Sequence, residues 1–176
     1  MIKKIGFLAA FFMIAAVFAC AAADTVPSSV VLNGVTHAIW VGKGASDSTI
    51  IIDSADSPAE GVAICTVAAT FTRLTALKNF VITFIPNDEF VPSGEIMLTF
   101  PKRDSLRLYG KVSEKTGAKG GDEYSLAFFA GLSELRDCCL SGRGGASLSI
   151  FSQNGQRREI ALPGAFFEAM PIGASH

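Results

Sequence analysis

The residues of this chain that could do chemistry are few: two histidines, four cysteines and several close pairs of carboxylates. His37 lies in an apolar stretch and His176 is the last residue, which excludes a multi-histidine metal centre. A zinc site built from cysteine and histidine needs spaced pairs of ligands, whereas Cys138 and Cys139 are adjacent and His37 stands alone. The motifs G-x-S-x-G, H-E-x-x-H and C-x-x-C do not occur, so the commonest hydrolytic and redox signatures are missing. A hydrolytic set of serine, His37 and aspartate has composition alone behind it, and His37 reads as an ordinary strand residue. Asp53 and Asp56 sit three apart in a Ser/Pro segment, but without the twelve-residue ligand spacing of an EF-hand they read as turn-capping side chains. Asp88-Glu89 and Asp122-Glu123 fall in loop contexts where solvated charge is the default. Two glycine-rich stretches also fail as nucleotide sites. Lys115 to Asp122 lacks the G-x-x-x-x-G-K-[ST] order before a helix, and Gly42-Lys43-Gly44 lacks a third glycine and a βαβ context. These spacings predict a protein that is not an enzyme, with no catalytic, cofactor-binding or metal-ligating residue.

The N-terminus sets the compartment in which the remaining groups must be read. Lys3 and Lys4 precede an uncharged run from Ile5 to Ala19, followed by Ala21-Ala22-Ala23, the pattern of an export signal. Small residues at Ala21 and Ala23 fit cleavage after residue 23, giving a single β-rich domain over 24–176 in the periplasm or outside the cell. Two alternatives stay open. Val17-Phe18-Ala19-Cys20 is similar to a lipobox, in which Cys20 would carry the lipid, and the stretch from Ile5 to Ala23 is just long enough to span a thin bilayer uncut. A membrane is a partner only in those two cases.

Beyond the signal the thiols are Cys65, Cys138 and Cys139, an odd number for an oxidising compartment. Adjacent cysteines close only a strained eight-membered ring, so the expected disulfide joins Cys65 to Cys138 or Cys139 and leaves the other buried or free. An intermolecular bridge and a redox-active Cys138-Cys139 pair are the alternatives.

The elements that must position these groups read as strands. Val35 to Gly42, Ser48 to Asp53, Gly61 to Ala69, Lys78 to Ile85, Glu95 to Phe100, Leu106 to Val112, Glu123 to Phe129, Ala146 to Ile150 and Arg157 to Leu162 are β-branched, aromatic or alternating. Asp24 to Ser29 leads into the first strand, and Asp53 to Pro58 reads as a turn. Ser113 to Asp122 reads as a mobile hairpin loop, with Lys115, Lys119 and Asp122 as candidate contact residues. Asn154-Gly155 is the strongest hairpin signal, of the kind that supplies a type I′ turn. A short helix is expected over Leu132 to Leu140, carrying the cysteine pair, and a short turn or helix over Ala165 to Met170. The expected fold is all-β, an antiparallel sandwich or barrel with one or two short helices. A near-neutral chain with scattered basic residues, whose basic pairs beyond residue 23 are Lys102-Arg103 and Arg157-Arg158, lacks the concentrated positive face that nucleic acid requires.

The C-terminal quarter, from Leu135-Arg136 through Gly145-Ala146-Ser147-Leu148-Ser149-Ile150 and Asn154-Gly155 to Ile160-Ala161-Leu162-Pro163-Gly164-Ala165-Phe166-Phe167-Glu168-Ala169-Met170, resembles the end of invasion-associated locus B proteins. Trp40 stands where those exported β-rich domains have an early tryptophan. The chain departs from them in lacking a cysteine close behind Trp40 and in its adjacent Cys138-Cys139, which leaves the disulfide scheme open. The resemblance implies a periplasmic or surface protein linked to host-cell entry by bacteria and carries over no catalytic residue. The expected function is binding through the exposed loops, with a protein or envelope component as partner.

Overall fold

The computed structural model describes residues 28–43, 48–59, 61–72, 76–116, 122–141 and 143–171. The expected signal over residues 1–23, Cys20, Lys119 and His176 lie outside them.

Among the described residues, eleven strands form two antiparallel sheets. β1 (Ser28–Leu32), β2 (Val35–Lys43), β3 (Thr49–Ala59), β4 (Val62–Phe71) and β5 (Leu77–Pro86) follow one another as a meander. β6 (Pro92–Thr99) and β7 (Leu106–Tyr109) belong to the second sheet, and β8 (Lys111–Thr116) and β9 (Asp122–Phe128) return to the first. After α1 (Leu132–Ser141), β10 (Ala146–Ser152) and β11 (Arg157–Leu162) complete the second sheet, and α2 (Gly164–Glu168) follows. The large sheet has the order β1-β2-β3-β4-β5-β9-β8 and the small one β11-β10-β6-β7.

Period-two alternation puts one side chain in two on the inner face of each sheet. In the large sheet Val67, Ile82 and Leu126 stand side by side in register, and the next rows hold Cys65, Phe84 and Tyr124, and Ala69, Phe80 and Phe128. All nine are buried. From the small sheet Ile96, Leu98, Leu148, Ile150, Ile160 and Leu162 meet them, all at 2 % exposure or less. At about 1.5–3 kcal/mol for each fully buried large apolar side chain, this interface is the main source of stability.

Three sequence expectations are corrected here. Asp53 to Pro58 is not a turn but the second half of β3, because Asp53, Ser54 and Ala55 continue the ladder to β4 opposite Val67, Thr66 and Cys65. Leu106 to Val112 is not one strand: it breaks at Gly110, where the chain passes from the small sheet to the large one. A Cβ on Gly110 would lie 2.7 Å from the Phe128 ring and 2.9 Å from the Ala127 carbonyl, so the crossing needs glycine. Asn154-Gly155 does make a hairpin, but not of type I′. Gly155 alone has positive φ (83°), its N–H donates to the Ser152 carbonyl, and Ser152 N–H donates to the Gln156 carbonyl across a three-residue loop. The type I′ signature of two positive φ values belongs to Asn33 (52°) and Gly34 (78°), between β1 and β2.

The strands have two distinct ends. Lys43, Thr49 and Phe71 pair at one of them, where β9 also runs out at Phe128 and leads into α1. α2 joins that end through the edge-on contact of Phe167 with Phe100, whose centroids are 5.8 Å apart. The opposite end carries the β1–β2 turn, Gly61, the connection from Asn87 to Val91 and the β10–β11 turn.

Candidate functional site

At the helical end the turn from Pro101 to Ser105 stands over α1 and encloses an open hollow of about 750 Å³, with Leu106, Glu134 and Cys138 completing its lining. The turn is held at its base and at its middle. Thr99 and Ser105 hydroxyls hydrogen-bond at 3.0 Å, and the Arg103 guanidinium donates to the Asp137 carbonyl of α1 at 3.0 Å. α1 turns Leu135 and Cys139, one helical turn apart, into the core at 0 % and 1 % exposure. The neighbouring face presents Glu134 and Cys138 to the hollow. Its lining carries both signs of charge, Lys102 and Arg103 against Asp104 and Glu134, over a thiol.

That thiol is not an activated one. Burial pushes Cys138 above the ordinary thiol range, Asp137 and Glu134 add to the effect, and Arg103 opposes it only in part. Cys139 and Cys65 are pushed up more strongly, both by burial first, with Cys138 and Asp53 respectively as the second cause. A nucleophilic or redox cysteine needs its thiolate, and none of the three positions favours one. His37, the one histidine among the described residues, is committed elsewhere.

The expected bridge from Cys65 to α1 is not formed; Cys65, Cys138 and Cys139 are free and buried. The topology explains this correction. α1 follows Phe128, which stands in the row of Phe80 and Ala69, whereas Cys65 lies four residues along β4 from Ala69, in the row of Phe84. At about 3.3 Å per residue that is roughly 13 Å of strand, against the roughly 5.5 Å between Cα atoms that a disulfide tolerates.

His37 and Asp53 form a pair that the sequence did not bring together. Both project from the inner face of the large sheet, on β2 and β3, at 2 % exposure each. His37 Nδ1 donates to the two Asp53 carboxylate oxygens at 3.0 and 3.1 Å. Burial raises the Asp53 carboxyl above its ordinary range, and the hydrogen bond and charge of His37 pull it part of the way back. The signal was present in the alternation: if Ile51 faces inward, so does Asp53, and a carboxylate there demands a partner. Buried to this degree, the pair cannot meet a substrate. It is a polar tie inside an apolar core.

The expected contact loop is partly strand. Lys115 pairs with Glu123 and Thr116 with Asp122 in the β8–β9 ladder, so Lys115 and Asp122 stand at the mouth of the connection, both exposed, while Lys119 lies outside the described residues. The basic pair Arg157-Arg158 is engaged within the fold. Arg157 donates to Ser149 Oγ at 3.0 Å and bridges to Glu159 at 2.6 Å, and Arg158 reaches Asp88 and covers the Phe90 ring at 5.1 Å. Among the described residues no cluster of three metal-ligating side chains occurs. No helix among them is long and apolar enough to cross a membrane.

Fold and site together define a two-sheet antiparallel β-sandwich with a charged hollow at its helical end. Comparisons with protein-family models, curated proteins and solved structures return no match, so the functional reading rests on the sequence and the geometry.

Proposed function

We propose that this is an exported bacterial binding protein without catalytic activity, working in the periplasm or at the cell surface, and that the hollow between the Pro101–Ser105 turn and α1 is where it meets its partner. The observation that carries this reading is how the chemistry is divided. His37, Asp53, Cys65 and Cys139 are sealed in the interior, while the accessible polar groups of the hollow are hydrogen-bonding and charged side chains of both signs, on α1 and on a turn tied at its base and its middle. Such a surface recognises a polar partner, a protein or an envelope component, by complementary charge and hydrogen bonds. The export pattern of residues 1–23 supports the compartment, and the resemblance of the C-terminal quarter to invasion-associated locus B proteins supports a role in host contact.

The test is to express the full-length coding sequence with a photo-activatable residue at Lys102, fractionate the cells, and measure both intact mass and cross-linked products. The expected result is an N-terminus at Asp24 in the exported fraction and a discrete adduct that disappears when Arg103→Glu is added. Retention of residues 1–23 in a cytosolic pool, or an adduct unchanged by Arg103→Glu and equal to that from a probe at Thr36, would sink the reading. A lipid mass on Cys20 would move the protein to the envelope surface while keeping the binding role.

A further inference from the structure

Each sheet has two edges, and a sheet edge is a row of backbone groups open to another strand. The four edges differ in how they are guarded. β8 carries Lys111, Glu114 and Lys115, β11 carries Arg157, Arg158 and Glu159, and β7 is only four residues long with Arg107 in it. β1 has the sequence Ser-Ser-Val-Val-Leu, without a charge, and Val31 on it is 68 % exposed. Self-pairing of β8 or β11 would set like charges near one another, whereas β1 against β1 brings together only serine, valine and leucine.

The type I′ turn fixes which backbone groups of β1 are available. In a two-residue hairpin the residues flanking the turn, Leu32 and Val35, form a hydrogen-bonded pair, and such pairs alternate along the ladder. Leu32, Val30 and Ser28 therefore direct their N–H and C=O groups to β2, while Val31 and Ser29 direct theirs outward. On the inner face of β2, His37 and Ile39, opposite Val30 and Ser28 of β1, are buried at 2 % exposure, so the sheet is packed up to the strand next to this edge.

We infer that β1 is the dimerisation edge of this protein: two copies pair antiparallel through β1, about a two-fold axis passing at Val30 and normal to the sheet. Ser29 of each copy then exchanges both backbone hydrogen bonds with Val31 of the other, and the two large sheets become one continuous sheet of fourteen strands, twice the seven of each copy. The two-fold keeps both inner faces on the same side of the joined sheet.

Sedimentation equilibrium on the protein purified from full-length expression tests this. The wild type is expected to run at twice the monomer mass at micromolar concentration. Val31→Pro removes only the outward N–H, leaves the β1–β2 ladder whole, and is expected to give a monomer with unchanged far-UV circular dichroism and melting temperature. Val31→Lys, which keeps the N–H and places two lysines beside the axis, is expected to weaken dimerisation at least tenfold. A wild type that stays monomeric, or a dimer that survives both substitutions, would overturn the inference. If Val31→Pro unfolds the chain, the Val31→Lys result decides alone.

Discussion

His37 and Asp53 hydrogen-bond to each other at 2 % exposure, so removing one strands the other. His37→Val is expected to destabilise the fold by about 3–5 kcal/mol, since an uncompensated buried carboxylate remains. Adding Asp53→Val should restore most of that loss, because valine suits a strand and two apolar side chains of similar volume need no pairing. Denaturant melts of the single and double variants check this, and additive losses would count against it. The pair also has a pH signature. With the Asp53 carboxyl raised by burial, the native state holds its proton to a higher pH than the unfolded chain, so the Asp53 contribution to stability falls as pH rises through the window between about 3.9 and the raised native value. The unfolding free energy of wild type minus Asp53→Asn should therefore climb as pH is lowered from neutral toward about 4 and level off below. A flat difference would refute the assignment. For the thiols, a disulfide-exchange reagent on the native protein should modify Cys138 slowly and leave Cys65 and Cys139 untouched until denaturant is added. Fast labelling of both helix cysteines would instead favour a redox role. At this scale the sequence was legible in part: the cysteine pair lies on a short helix as expected, but the His37–Asp53 contact depends on β2 and β3 being neighbours in a particular register, and residue types alone do not encode that.

The strands were legible wherever one face is apolar and the other wet, as in β9 with Tyr124, Leu126 and Phe128 inward. They were misread where polar residues lie inside a strand or where glycine changes its direction. Asp53 to Pro58 has turn composition yet extends β3, since a hairpin partner in β4 satisfies its backbone. Gly110 divides an alternating run that periodicity cannot divide, because both halves are genuine strands in different sheets. Gly110→Ala is expected to destabilise the protein by about 1–3 kcal/mol through overpacking against Phe128 and the Ala127 carbonyl. Thermal melts check it, and loss below a few tenths of a kcal/mol would show that the crossing has slack. The disulfide failed as an expectation for a related reason: cysteine count and compartment can suggest a bridge, but only the strand register shows that Cys65 and α1 occupy different rows.

For the whole molecule, the core is asymmetric, with β4 and β5 buried in the middle of the large sheet and β1 and β8 at its margins. Amide hydrogen exchange should follow that order, slowest at Val67, Ala69, Phe80 and Ile82 and fastest along β8; uniform protection across the sheet would contradict it. The order of the strands along the chain has a further consequence. β1 to β5 each pair with the strand just made, so five strands of the large sheet can zip together as they emerge, before any residue of the small sheet has been synthesised. β10 and β11, which cover much of the inner face, come near the C-terminus. Until they arrive the growing chain is an unfinished greasy plane, with His37 and Asp53 still hydrated, and a holding chaperone would find it a natural client. A chain cut short after β9 would accordingly be no smaller version of this protein: with β6 and β7 but not β10 and β11, it would be an adhesive sheet with half its lid missing.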